Sequence, residues 1–159
     1  MNKYYTDSIN YNYSDILDNV SEKAIDVTND PDGDIEKITY SLTLDSDTVI
    51  NVYFKPVEGY EGDFTATVDG EDVLPTRSGA RYCVQISGIA AHELGNIHTI
   101  TITTADGYTA TVKVSALSYV NSALKYYSEH EDEDPNMAGR NAVCALYAYS
   151  KAADEYLKP

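Results

Sequence analysis

The residues with the greatest chemical reach fall in a few short stretches. His92-Glu93-Leu-Gly-Asn-Ile-His98 sets two imidazoles around a carboxylate, the residue types of a zinc protease helix. That helix needs its histidines four apart on one face. Here they are six apart, Gly95-Asn96 breaks the helix, and His98 opens a strand. Asp30, Asp32 and Asp34 alternate through NDPDGD like the start of a calcium loop. Such a loop requires Gly at its sixth position and Glu at its twelfth. Counted from Asp30, those positions hold Ile35 and Ser41, so the stretch reads as a plain acidic turn. Glu129, Glu131, Asp132, Glu133 and Asp134 crowd together. A catalytic carboxylate pair needs one acid held in an apolar pocket, and a hydrophilic linker between helices supplies none. There is no G-x-S-x-G elbow, no phosphate-cradling glycine loop and no basic stripe. The expectation is a protein without a reaction centre, a metal or a cofactor.

What remains is surface chemistry. The loop Val57-Glu58-Gly-Tyr60-Glu-Gly62 sets Tyr60 between glycines, where a ring is expected to meet solvent. Pro75-Thr-Arg77-Ser-Gly79 is expected to hold Arg77 at a loop tip. Tyr119, Tyr126 and Tyr147 fall off the apolar stripes of their helices and form a second candidate patch. Tyr and Arg are the types enriched at binding hot spots. Tyr60, Glu58, Arg77, Tyr119, Tyr126 and Tyr147 are therefore the candidate ligand-binding residues.

The element that organises these positions is Ile97 to Val114. Ile100 and Ile102 alternate with threonines, Ala105-Asp106-Gly107 turns the chain, and Tyr108, Ala110, Val112 and Val114 share the returning face. Period-two alternation about an Asp-Gly turn is a strong hairpin signal. Further strands run through Ile38, Tyr40, Leu42 and Leu44; Ile50, Val52 and Phe54; Phe64, Ala66 and Val68; and Tyr82, Val84 and Ile86. Ala90 to Leu94 reads as one helical turn. Six or seven short strands punctuated by turn residues argue for an antiparallel, immunoglobulin-like sandwich. After Val114 the period becomes helical, in Leu117, Val120, Leu124 and Tyr127, then in Ala142, Leu146, Tyr149, Ala153 and Tyr156. Asp134-Pro135 reads as the cap and first turn of the second helix. Ser14 reads as the cap of a short N-terminal helix reaching Lys23, with Ile16, Leu17 and Val20 inward. The expected fold is α+β: a lead-in at 1–34, a sandwich at 35–114, and a helical pair at 115–159 packed on it as one unit.

Composition narrows the partners. The 159 residues carry 26 acids against 11 Lys and Arg, a net charge of −15. That field repels nucleic acid and anionic membrane surfaces. With 43% hydrophobic residues the chain can bury a real core. No apolar run reaches the roughly 20 residues of a membrane span, and no apolar stretch follows Met1-Asn-Lys as in a signal peptide. The chain is thus compatible with a cytosolic protein or with a segment of a longer secreted one. Cys83 and Cys144 leave two readings open, a disulfide or two small buried thiols. There are 15 Tyr, 2 Phe and no Trp, so tyrosine carries the aromatic bulk and belongs at core edges and surfaces.

Leu117-Ser-Tyr-Val120, Ala145-Leu-Tyr-Ala-Tyr-Ser-Lys-Ala-Ala153 and Tyr156 resemble a recurring tail in large secreted or wall-attached proteins of anaerobic gut Gram-positive bacteria. Tyr82-Cys-Val-Gln-Ile-Ser-Gly-Ile-Ala-Ala-His-Glu-Leu94 is similar to the strand and turn before that tail. The resemblance covers roughly Ile38 to Leu157 and carries no catalytic residue. It implies a secreted or cell-surface module with neighbouring modules in the same chain. Lys3-Tyr4-Tyr5 resembles Glu155-Tyr156-Leu157, as though each module begins where the previous helix finishes. Proteins of this kind are often adhesins, some engaging host proteins such as antibodies, others plant glycans. The expected function is a non-catalytic protein-binding module whose ligand is a host secreted protein, such as an immunoglobulin or a glycoprotein. A carbohydrate-binding module and a structural spacer are the alternatives.

Overall fold

The computed structural model describes residues 11–158. Residues 3–5, compared above with the C-terminal tyrosine, lie outside the described residues. Helix α1 (Tyr13–Asn19) and a 3-10 turn (Ser21–Lys23) lead into nine strands. These are β1 (Asp26–Thr28), β2 (Ile35–Leu44), β3 (Thr48–Pro56), β4 (Phe64–Val68), β5 (Glu71–Val73), β6 (Thr76–Ser78), β7 (Arg81–Ile89), β8 (His98–Thr104) and β9 (Thr109–Val114). Helices α2 (Ala116–Glu129) and α3 (Ala138–Leu157) follow. All pairings are antiparallel, in a five-stranded sheet β1-β9-β8-β4-β5 and a four-stranded sheet β2-β3-β7-β6.

The organising hairpin forms as expected. Ile100 pairs with Val112 and Ile102 with Ala110, and Gly107 takes φ 88° in the turn, a region closed to most side chains. The alternating apolar positions of β3, β7, β8 and β9 bury Ile50, Val52, Phe54, Val84, Ile100, Ile102, Val112 and Val114 in one cluster. At the far end of that cluster Phe64 joins the sheets, its ring 4.9 Å from Phe54 and 5.0 Å from Tyr82.

The helical pair belongs to this core. Leu117, Val120, Leu124, Val143 and Cys144 are buried in the same cluster as the sheet residues. Tyr40 on β2 donates from its hydroxyl to the Ser118 carbonyl at 2.9 Å and lies 2.5 Å from Ser122 Oγ. Ser115 and Ser118 form a reciprocal capping box at the start of α2, and Ser118 Oγ also donates to the Lys23 carbonyl. Among the described residues no helix is long and apolar enough to cross a membrane.

Several boundaries differ from the sequence expectation. Asn12, not Ser14, caps α1, accepting from the Asp15 amide at 3.1 Å. The lead-in is joined to the sheet, because β1 pairs with β9. β1, β5 and β6 have three residues each, too few to show a period. α3 starts at Ala138 rather than Pro135. Asp134 still caps it, accepting from the Gly139 and Arg140 amides at 2.9 and 3.0 Å. The buried face of α3 is Arg140, Val143, Cys144, Leu146 and Ser150, so Tyr149 and Tyr156 face outward, 62% and 88% exposed. Polar Arg140 and Ser150 hid the true stripe. Arg140 is inward because its Nε meets Asp134 Oδ2 at 3.0 Å, making a buried ion pair.

Candidate functional site

The six candidate residues divide between two places, and two of them join neither. Tyr60 is not the solvent-facing ring expected. Its hydroxyl donates to the Asp63 carbonyl at 3.0 Å and accepts from the Ala105 amide at 2.8 Å. The ring lies 4.9 Å from Phe64. Gly62 makes this possible, because a Cβ there would stand 2.5 Å from the Tyr60 hydroxyl. Arg77 is not at a loop tip either. It lies on β6 opposite Tyr82, with Nε donating to the Gly79 carbonyl at 3.2 Å. Tyr60 and Arg77 do share a hollow of about 290 Å³ with Phe64 and Tyr82. Its aromatic members pack on the core, Phe64 and Tyr82 against Phe54, and Tyr60 against Phe64. Glu58 is exposed and outside that hollow.

Tyr119 and Tyr126 come together on a different face. There α2, α3 and the edge strand β2 border an open trough made of three adjoining depressions of about 320, 280 and 560 Å³. The first is walled by Tyr40, Tyr119, Tyr126 and Tyr127. The second adds Leu42, Leu44, Val143 and Leu146. The third continues past Leu44 and Leu146 to Tyr149 and to the acidic β2–β3 turn at Asp45 and Asp47. Leu44 is 59% exposed, Tyr126 44% and Tyr119 38%. Tyr147 is not part of the trough; its ring is half-buried and carries Lys151 Nζ at 5.7 Å.

The trough is held by rigid elements. Tyr40 is fixed by its bonds to α2, and its ring meets Tyr119 edge-on at 6.4 Å. Tyr126 meets Tyr127 edge-on at 5.7 Å and stacks on His130 at 4.2 Å. Its hydroxyl donates to Glu133 Oε2. That bond, with small burial and the nearby charges of Glu133 and Asp132, pushes the phenol above its ordinary range. Gly139 lets α3 come close, since a Cβ there would lie 2.7 Å from the tip of Tyr127.

Elsewhere the titratable groups are structural. Burial disfavours the Asp134 carboxylate, but two backbone amides and Arg140 outweigh it and hold the carboxyl below its usual value. Burial pushes the Cys144 thiol up to about 11 and raises Cys83 as well. Both cysteines are free and buried. His98 engages Asp69 at 2.7 Å, away from His92. Asp30 closes an Asx turn on Asp32 at 2.9 Å. Among the described residues no group of three or more His, Cys, Asp or Glu is placed to hold a metal.

Sequence reasoning missed Leu42, Leu44, Tyr127 and Tyr149 as residues of this face. Each sits on an apolar period, which reads as core. One signal was available: Leu44 abuts the Asp45-Ser46-Asp47 turn, where a strand runs out of partners to cover it. Comparison with protein-family models, with curated proteins and with solved structures returned no match.

Proposed function

We propose that this chain is a non-catalytic protein-binding module of a bacterial surface protein, built on an immunoglobulin-like sandwich, with the trough as its binding face. One observation carries the reading. Leu44, Tyr119, Tyr126 and Tyr149 stand exposed along one continuous depression on rigid secondary structure. Contiguous exposed apolar patches on soluble domains commonly mark interaction sites. Tyrosine gives large contact area at small entropic cost, which suits a protein ligand. The two sheets sharing one core support the sandwich assignment. The resemblance of the Tyr82–Leu94 and Leu117–Tyr156 segments to gut bacterial surface modules supports the setting. A host secreted protein, such as an immunoglobulin or glycoprotein, is the ligand proposed.

The test is binding to two immobilised panels, host secreted proteins and polysaccharides. The reading expects saturable binding to a protein, weakened about tenfold or more by Tyr119→Ala with Tyr149→Ala. Binding only to a polysaccharide makes the chain a carbohydrate-binding module. Silence on both panels leaves a structural spacer.

A further inference from the structure

We infer that the four-tyrosine end of the trough receives the cationic tip of a partner's lysine or arginine side chain. This rests on the trough being the binding face, and it names the chemistry recognised there. The hollow of about 320 Å³ is lined by Tyr40, Tyr119, Ser122, Ala123, Tyr126 and Tyr127. Its rings form two edge-on pairs, at 84° for Tyr40 with Tyr119 and 76° for Tyr126 with Tyr127. In each pair one ring's edge meets the other's face, and His130 covers one face of Tyr126, so the faces left free around the hollow are the negative π surfaces a cation would contact. Such cages select ammonium and guanidinium groups over neutral groups of equal size.

Charge points the same way. Glu133 is tied to the Tyr126 hydroxyl at the rim, and exposed Glu129, Glu131 and Asp132 flank it. The whole chain carries −15. Among the described residues no cation belongs to the lining. Lys125 is on α2 but outside it, Lys151 lies over Tyr147, and His130 takes one face of Tyr126 without entering the hollow. The acids beside Tyr126 therefore have no counter-charge among the described residues of the lining.

The experiment is a chemical-shift titration of the intact chain with three probes: n-butylammonium, n-propylguanidinium and neutral 1-pentanol. The first two stand for the ends of Lys and Arg. Both cations are expected to shift Ser122, Ala123 and the four ring systems, with the alcohol binding at least about fivefold more weakly. Added salt should weaken the cations and spare the alcohol. Tyr119→Phe keeps a π face and should retain cation binding. Tyr119→Leu keeps apolar bulk and should lose it about fivefold. Tyr119 is partly exposed, so both variants are expected to fold. Equal binding of pentanol, or equal cation binding by Tyr119→Leu, overturns the cage. So does an absence of ring shifts at cation concentrations on the order of 100 mM. The two readings fail separately. If a host protein binds through the trough unaffected by Tyr119→Leu, only the cation site falls. If the cations bind here while both panels stay silent, the protein-binding reading falls.

Discussion

Replacing Tyr40 by Phe tests whether the helical pair is one cooperative unit with the sheets. The ring stays, so its packing and its edge contact with Tyr119 at 6.4 Å are kept. What is lost is the hydroxyl that meets the Ser118 carbonyl at 2.9 Å and Ser122 Oγ at 2.5 Å. A buried hydrogen bond contributes about 0.5–1.5 kcal/mol net. Ser122 can turn back to a carbonyl of its own helix and recover part of this. The expected loss is therefore about 1.5 kcal/mol, or roughly 3–6 °C in Tm for a chain this long. Urea and thermal unfolding, followed by far-UV and near-UV signals, give the numbers. A double-mutant cycle with Ser122→Ala should show coupling of about 0.5–1 kcal/mol. There is also an alkaline signature. Burial raises the Tyr40 phenol above its ordinary 10.0, with Ser122 opposing. A raised phenol contributes stability below its unfolded pKa and loses it as pH climbs through the folded one. The wild type should therefore lose stability in strong base more steeply than Tyr40→Phe. An unchanged Tm with no coupling, or a separate helical transition, would refute the argument.

Other perturbations probe the rest of the fold. Gly62→Ala places a methyl against the Tyr60 hydroxyl and should release it from the Ala105 amide, costing about 1–2 kcal/mol by urea unfolding. The charge of Asp34, then hydrogen bonding to it, raises the Asp106 carboxyl. The stability this group contributes is present in acid and lost as pH rises through its folded pKa, so Asp106→Asn should stabilise the protein at neutral pH and little in acid. Asp134 has the opposite sign: its lowered carboxyl contributes stability at neutral pH that is lost in acid, so Asp134→Asn should flatten acid unfolding. Cys144, held up to about 11 by burial, should resist alkylation until the chain unfolds, as mass spectrometry of iodoacetamide adducts will show.

The long strands were readable because their two faces differ in polarity. Ile50, Val52 and Phe54 could point only inward, and in the other sheet the Asp106-Gly107 turn set the register of β8 on β9. Short strands were not readable, because three residues such as Asp26–Thr28 owe their conformation to a partner strand far away in sequence. The N-terminus of α3 was misplaced for a related reason. Asp134 has cap chemistry, but Met137 at φ 58° and a 3-10 turn at Glu131–Glu133 add residues that no local propensity announces. Along the trough, Tyr119 and Tyr126 stood out by lying off the α2 stripe. Their partners did not, because Leu44 and Tyr149 look like core by spacing and become surface only where β2 and α3 end their cover. Tyr60 misled in the opposite direction. Flanking glycines suggested exposure, whereas Gly62 is there to admit the ring.

The most direct test of the central claim is to map the footprint of a captured host protein on the chain by amide hydrogen exchange, with and without the ligand. Protection across β2, α2 and α3 as far as Tyr149, from Leu44 through Tyr119 and Tyr126, is the predicted result. Protection confined to the Tyr60 and Arg77 face, with the trough exchanging as in the free protein, would contradict it.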